Sequence, residues 1–589
     1  MDPCGAHCRQ QLVLLNHGIG NLRNTEFLNL KSKIIKSKIK MMRYILSLLI
    51  FFLLVGPVVA QNQQDQTIFK AMQDELQRNK AELALPGMDK PFYLSYSFGM
   101  YRQFEVVGVL GAITNSLELP WRGIGSTQLL LGDYNNTSDS RYIGQFYKVG
   151  MPGEADYDMI RRNFWLVSDV AYKMALRESA GKEAALKANP QTPEEAQLPD
   201  LVKAEPITKI VESKVPYEIN LKEWENTIRE LSAIFKNYKE IYNSSVGISG
   251  LDMEVYKQTS EDVTMKQPVS YANFFAQGYV TTEDGVRIGD ALSILVARPQ
   301  DMPSLEDLKK KVTAFAEGLI KLKNAPVVEE FYSGPVLFED GASSSIFTNN
   351  LLNQGGLFAY RKAIGQPAGR TLEGRIGRKI VDNRLTVKNY TTLDKYNGIP
   401  LLGAYEIDAE GVVPEKEMTL VDKGILRQML NGRVPSLKTQ HSTGSSRFVM
   451  SGSDIVYVTA PGTIHIQVDK GTKQDKMKKA LIKAAKDEGL DYAYIVRGLA
   501  GPASRIYKVD VKDGSETQVR FGDVSAINLA KIKRVLDISS KENVSNYILN
   551  RQVLSSLIYP ASVLIEDVEI NKSEPKKEKE PVLKFPLQR

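Results

Sequence analysis

FYSGPVLFEDGASSSIFTNNLLNQGG, residues 331–356, is the stretch that decides how the chain is read. Val336, Leu337 and Phe338 form a strand-like run after the Gly334-Pro335 turn signal, and the acidic pair Glu339-Asp340 follows. Small residues fill 341–345. Ile346, Phe347, Leu351 and Leu352 then recur at helical spacing before Gly355-Gly356. The pattern predicts strand, tight turn and helix, with Asp340 as N-cap and Gly355 as helix stop. A joint so rich in small side chains lets a second backbone come close. Spacing alone leaves two readings open: an ordinary buried strand–helix joint, or the frame of a site.

Working outward, the N-terminal end carries a leader. Lys40 and Arg43 precede an apolar run from Tyr44 to Val55, Gly56-Pro57 breaks it, and Val58-Val59-Ala60 supplies small residues before Gln61. This predicts a secretory signal peptide over 41–60, cleaved after Ala60. The run with its Gly-Pro break is shorter than the roughly 20 residues a membrane helix needs, so no stable span is expected once the leader is removed. Residues 1–40 precede a second initiator, Met41 or Met42, and read as an extension from a start assigned too far upstream. Export places the protein in the periplasm if the source is a Gram-negative bacterium.

The leader also changes the inventory of the mature chain. Of the formal net charge of +7, the eight Lys/Arg and two acids of residues 1–60 account for +6. The body is therefore nearly neutral and offers no bulk basic field for nucleic acid. Both cysteines, Cys4 and Cys8, and two of the four histidines, His7 and His17, lie in the same segment. Without disulfides, the exported protein must rest on its hydrophobic cores.

In the mature chain, an amphipathic helix is expected over 66–85, followed by β-rich runs and a long helix from Asp156 to Ala188 with Ile160, Phe164, Leu166 and Val167 inward. Residues 188–206 are rich in Pro and Glu and read as a linker. Helices over 221–242 and 304–322, the second capped by Ser304, bracket a strand-rich region. From Glu329 onward the pattern is β-rich and Gly-rich, with a Lys-rich helix over 473–488. The expected architecture is α+β and multi-domain, with antiparallel and mixed sheets flanked by helices. Its parts are an N-terminal domain (61–205), a central domain (206–328), a β-rich C-terminal domain (329–570) and a charged, Pro-rich tail (571–589).

Chemistry-bearing residues are few. The loop His441-Ser442-Thr443-Gly444, with Arg447, combines donors, a cation and a glycine, and suits a backbone or a carboxylate; a mobile surface loop is the other reading. No G-x-S-x-G elbow accompanies His441, which argues against a serine triad built on it. His465 lies in an alternating strand that sends Ile464, Ile466 and Val468 to the opposite face, and reads as half-exposed. Two histidines twenty-four residues apart, with no cysteine, make an intrinsic zinc site improbable.

Four segments in order carry a family resemblance: SGPVLFEDGASSSIF (333–347), LVDKGILRQMLNGR (420–433), HSTGSSR (441–447) and YPASVLIEDVEI (559–570). With these the chain resembles the TldD/PmbA (TldD/TldE) family of zinc-dependent peptidases, most clearly in its C-terminal part. In active members the segment matching Leu337–Ser343 carries H-E-x-x-x-H on a helix, and a later cysteine completes the zinc site. Here the glutamate falls on Glu339, a weak catalytic candidate, while the histidine positions fall on Phe338 and Ser343. The resemblance is thus closer to the zinc-less subunit. It implies no cofactor in this chain, zinc only in a TldD-like paralogue paired with it, and peptide or unfolded protein as substrate, contacted by the loop at His441. Two other functions stay open: a self-sufficient hydrolase with an unrecognised site, and a stand-alone peptide- or envelope-binding protein.

Overall fold

Strand Tyr332–Glu339 runs directly into helix Asp340–Phe347, which continues as a wider π-helical turn over Thr348–Leu352. The computed structural model describes residues 63–577 apart from 214, 354, 368, 370, 452, 453 and 550–552, together with 586. The expected extension, the signal peptide and nearly all of the tail beyond 577 lie outside the described residues. Residues 63–68 form the first turns of a helix, and residues 69–589 constitute a separate unit, described from here on.

Period-two alternation places the strand between two cores. Val336 and Phe338 face one, with Ile346, Phe347, Ile464, Ile466 and Leu557; Leu337 faces the other, with Met477, Leu481, Ile495 and Leu564. Burial of Phe338 contributes roughly 1.5–3 kcal/mol. The strand pairs antiparallel with Ser562–Lys572 and parallel with Tyr492–Gly498, at the middle of a seven-stranded sheet. A six-stranded sheet, with Leu385–Tyr390, Thr463–Val468 and Val553–Pro560 at its centre, lies across the first core. Helix Asp340–Phe347 touches Tyr492–Gly498 of one sheet and Val553–Pro560 of the other, and helix Gln474–Asp487 covers the second core.

Two 17-residue strands, Tyr93–Val109 and Asn243–Thr259, pair along nearly their whole length and form the axis of a nine-stranded sheet. One half is extended by Arg122–Leu130, Phe146–Met151, Val263–Pro268 and Ile207–Ile210. Helix Tyr157–Ala188 covers it, Phe164 stacking on Tyr96 with ring centroids 4.2 Å apart. The other half carries helices Leu221–Ala233 and Leu305–Asn324, whose Ile228, Leu231, Leu308 and Val312 pack with Val246, Ile248 and Phe274.

The architecture is α+β with a β-rich C-terminal region, as expected, but several local expectations change. The boundary at 205/206 divides no packing unit, because strands from both sides share the nine-stranded sheet. The 93–109 and 243–259 pairing is non-local, and local periodicity carries no signal for it. The supposed linker contains a short helix, Pro193–Ala196, closed by a Thr192/Glu195 capping box, and buries Leu198, Asp200, Leu201 and Ala204. Leu166 points outward at 44% exposure, since Ile160, Phe164, Val167 and Ala171 already fill the inner face of the long helix. Asp340 is not the N-cap. It is the first helical residue, at φ +48°, and its carboxylate accepts from Asn543. Glu339 stands at the cap position without a capping bond, its carboxylate being taken by other partners. His465 is buried: both faces of its central strand are covered, and its Nε2 meets Glu542 at 2.8 Å. The strand ending at Lys572 takes the first residues of the supposed tail, and Lys577 bridges to Val286.

Candidate functional site

The window Phe338–Ser343 lies across the strand–helix joint rather than on one helix. Phe338 is fully buried in the inter-sheet core. Glu339 accepts from Arg497 Nε at 2.9 Å and from Gln474 Nε2 at 3.2 Å, and Arg497 also bridges to Glu516 at 3.0 Å. Ser343, equally buried, donates its Oγ hydrogen to Pro560 O at 2.7 Å. A phenyl ring, an arginine-paired carboxylate and a hydroxyl held by a carbonyl do not fit a zinc ion, which takes nitrogen, sulfur or carboxylate ligands. Among the described residues no group of three or more His, Cys, Asp or Glu side chains could hold a metal.

The loop at 441–447 is tied down from within. Its His441 side is exposed. Asn431 Nδ2 donates to the carbonyls of Thr439 and His441, and Thr443 Oγ bonds the backbone of Asn431 on both sides. Ser442 Oγ accepts from the Gly444 N–H at 3.1 Å. Gly444 is buried at φ +64°, where a Cβ would stand 2.9 Å from Pro414. Arg447 stacks over Tyr405 at 4.0 Å and donates Nη1 to the carbonyls of Gly403 and Pro461. The structure therefore brings His441–Gly444 together as one loop but directs Arg447 away, as a brace between carbonyls.

That loop leads into strand Ser446–Ser451, and through Ser446 it reaches a cavity of about 300 Å³. The walls come from both halves of the chain: Gln128, Asp139, Tyr142 and Asp200 on one side, and Arg361, Glu410, Arg433, Ser446 and Tyr457 on the other. A second cavity of about 600 Å³ shares Tyr360 and Arg361 with it. Asp200 holds Lys182 and Arg361 in ion pairs, and the guanidinium of Arg361 stacks on Tyr142 at 3.9 Å. Arg433 donates to Val202 O and to Glu261, each at 2.7 Å, and Glu261 also accepts from Tyr134.

Beneath this wall the electrostatics are unusual. Lys257 is wholly buried over the ring of Tyr457 at 4.7 Å, and its ammonium has no hydrogen-bond partner. Burial lowers its pKa to about 8. Asp408 accepts from the N–H groups of Glu410, Val412 and Ser446, yet burial, reinforced by the neighbouring Glu410, pushes its carboxyl up to about 7. Sequence reading misses this cluster. Ala409-Glu410-Gly411 reads as a turn and Asn431-Gly432-Arg433 as a loop, and no spacing marks residues that meet only through tertiary packing.

Joint, loop and most of the cavity wall fall within residues 333–514, which match the family model described as the PmbA/TldA metallopeptidase C-terminal domain. The chain is an α+β protein that carries a domain of this PmbA/TldA type over residues 333–514. No curated protein matches it by sequence. Among solved structures it is similar to TldE from Thermococcus kodakarensis, with 14% identity and a TM-score of 0.53, over 85% of this chain and 99% of that one. A Thermotoga maritima protein described as a candidate modulator of DNA gyrase is also similar, at 14% identity and TM-score 0.53, over 81% and 96%. A Bacteroides thetaiotaomicron protein of like description matches at 14% identity and TM-score 0.52, over 86% and 98%. At this identity the likenesses establish the fold.

Proposed function

We propose that the chain is an exported, metal-free subunit of a TldD/PmbA-like peptidase assembly, guiding peptide or unfolded protein toward a metal-bearing relative with which it pairs. The observation that carries the reading is the strand–helix joint. At the positions where the family resemblance expects histidines, Phe338 lies in the core and Ser343 is held by Pro560 O, so the joint supplies no ligand beyond Glu339, which Arg497 neutralises. Zinc would then belong to the partner. Export rests on the leader at 41–60, and the exposed rim at His441 is the surface offered to peptide.

The test is capture of the mature chain, from Gln61 onward, from its native envelope, followed by metal analysis and peptidase assays with and without the recovered partner. Substoichiometric zinc in this chain, with cleavage appearing only when an H-E-x-x-x-H relative is present, is the expected result. One tightly held zinc per chain, with zinc-dependent cleavage by the chain alone, would overturn the proposal.

A further inference from the structure

On the cavity wall, Ser446 Oγ donates to Glu410 Oε2 at 2.5 Å, and the Arg433 N–H donates to the same oxygen at 2.9 Å. Both side chains are nearly buried, Ser446 at 2% and Glu410 at 4% exposure, yet both line the cavity together with Gly432. Gly432 keeps the pair uncovered: a Cβ there would stand 2.7 Å from Ser446 Oγ and from Glu410 Oε2. Asp408 fixes the backbone of both partners, its Oδ1 accepting from the Glu410 N–H at 2.9 Å and its Oδ2 from the Ser446 N–H at 3.1 Å. A hydroxyl held against a buried carboxylate, with the carboxylate's own backbone anchored and a cavity in front, is the arrangement of an activated nucleophile and its base.

We propose that Ser446 is the nucleophile and Glu410 the general base of a metal-independent acyl-transfer site for small uncharged esters or amides. The Oγ–H proton passes to Glu410 as the Oγ–C bond forms at the substrate carbonyl. The C–O or C–N bond then breaks, and the leaving alcohol or amine takes that proton from Glu410. Water repeats the sequence on the acyl-serine: its proton goes to Glu410, its oxygen bonds the acyl carbon, and Ser446 leaves with the proton as the carboxylic acid is released. Lys257 and Arg433, two buried cations of the same cluster that each keep a nitrogen without a partner, supply the positive potential that favours an oxyanion. The substrate class follows from the lining. Arg361 is paired with Asp200 and Arg433 with Glu261, so neither guanidinium is free to hold an anion, and the Asp139 and Glu410 carboxylates on the wall repel one. A cavity of about 300 Å³ admits a small acyl group rather than a folded segment. Asp408 is a positioning residue, acting through the backbone of the pair.

This site is independent of the subunit role proposed above. The test treats the mature chain with an isopropyl fluorophosphonate and locates the adduct by peptide mass spectrometry. Hydrolysis of p-nitrophenyl acetate is followed in parallel with and without a chelator. One adduct on Ser446 and chelator-insensitive hydrolysis lost in Ser446→Ala are expected. Glu410→Gln should slow labelling by about a hundredfold, the scale of a lost general base. No adduct at Ser446 in the folded wild-type chain, or hydrolysis that survives Ser446→Ala, would overturn the assignment. Labelling of the unsubstituted chain decides the matter even if a variant fails to fold.

Discussion

Replacing Arg433 by Met tests whether the cavity wall is a true structural joint between the two halves of the chain. The guanidinium is 1% exposed, and it donates from Nε to Val202 O and from Nη2 to Glu261 Oε1, each at 2.7 Å. Met keeps most of the stem's volume but strands a buried carboxylate, to which Tyr134 and the Ala204 N–H still donate. Breaking one side of a buried pair costs about 3–5 kcal/mol, because the partner's desolvation is no longer offset. Glu261→Gln alone strands the guanidinium and costs a similar amount. In the double variant both charges are gone, and the amide oxygen introduced by Glu261→Gln can still accept from Tyr134. Its loss should therefore fall at least about 2 kcal/mol short of the sum of the singles. Urea titrations of the four proteins measure this, and the deficit should persist at high salt, since ions do not screen a pair this deeply buried. Single variants that each lose less than about 1 kcal/mol, or a double variant that is strictly additive, would refute the reasoning.

Asp408→Asn should change the pH dependence of stability. Burial raises the folded pKa from 3.8 to about 7, so wild-type Asp408 contributes its full stability below about pH 4 and loses it as pH rises toward 7. Asn removes that slope. Variant-minus-wild-type stability should climb by about 1–4 kcal/mol across this window, even though the amide loses acceptors and lowers the absolute value; a flat difference curve contradicts the assignment. Lys257→Met removes a buried ammonium with no hydrogen-bond partner and should stabilise the fold by about 1–3 kcal/mol at neutral pH, while slowing ester hydrolysis; a destabilised variant would mean that the charge is an obligatory counter-ion. Gly444→Ala places a Cβ 2.9 Å from Pro414 at φ +64° and should cost about 1–3 kcal/mol in a denaturant titration; an unchanged midpoint would show that the loop yields.

The decisive stretch is legible because its signals are local. Val336–Phe338 is a short apolar run after a turn signal, Ile346–Leu352 is helical in period, and both consequences appear in the structure. Ser304 caps its helix as spacing implies, since a cap is settled within four residues. Asp340 departs from expectation because the sheet, not the local pattern, decides where the helix begins: the Asp340 N–H bonds Ala561 O across the sheet. The 188–206 segment departs from it for a related reason. Its Pro and Glu content is that of a linker, but Asp200 meets Lys182 and Arg361 from distant parts of the chain.

The cavity shows where sequence reading reaches its physical limit. Glu410, Gly432 and Ser446 are separated by turns and strands, and only the fold brings Ser446 Oγ within 2.5 Å of a carboxylate. The His441 loop stands out in the sequence because it concentrates polar side chains, but most of those groups bond one another or nearby backbone. A loop that satisfies itself in this way leaves chiefly its exposed His441 rim to a ligand. A buried cluster that leaves an ammonium, a guanidinium nitrogen and a carboxylate oxygen unpartnered, at Lys257, Arg433 and Glu261, has the opposite character. Such atoms lower stability, and an apolar core of the same shape would fold at least as well. Beside a cavity of about 300 Å³ such atoms are placed to meet water or a bound molecule, which is the arrangement the proposed acyl-transfer site requires.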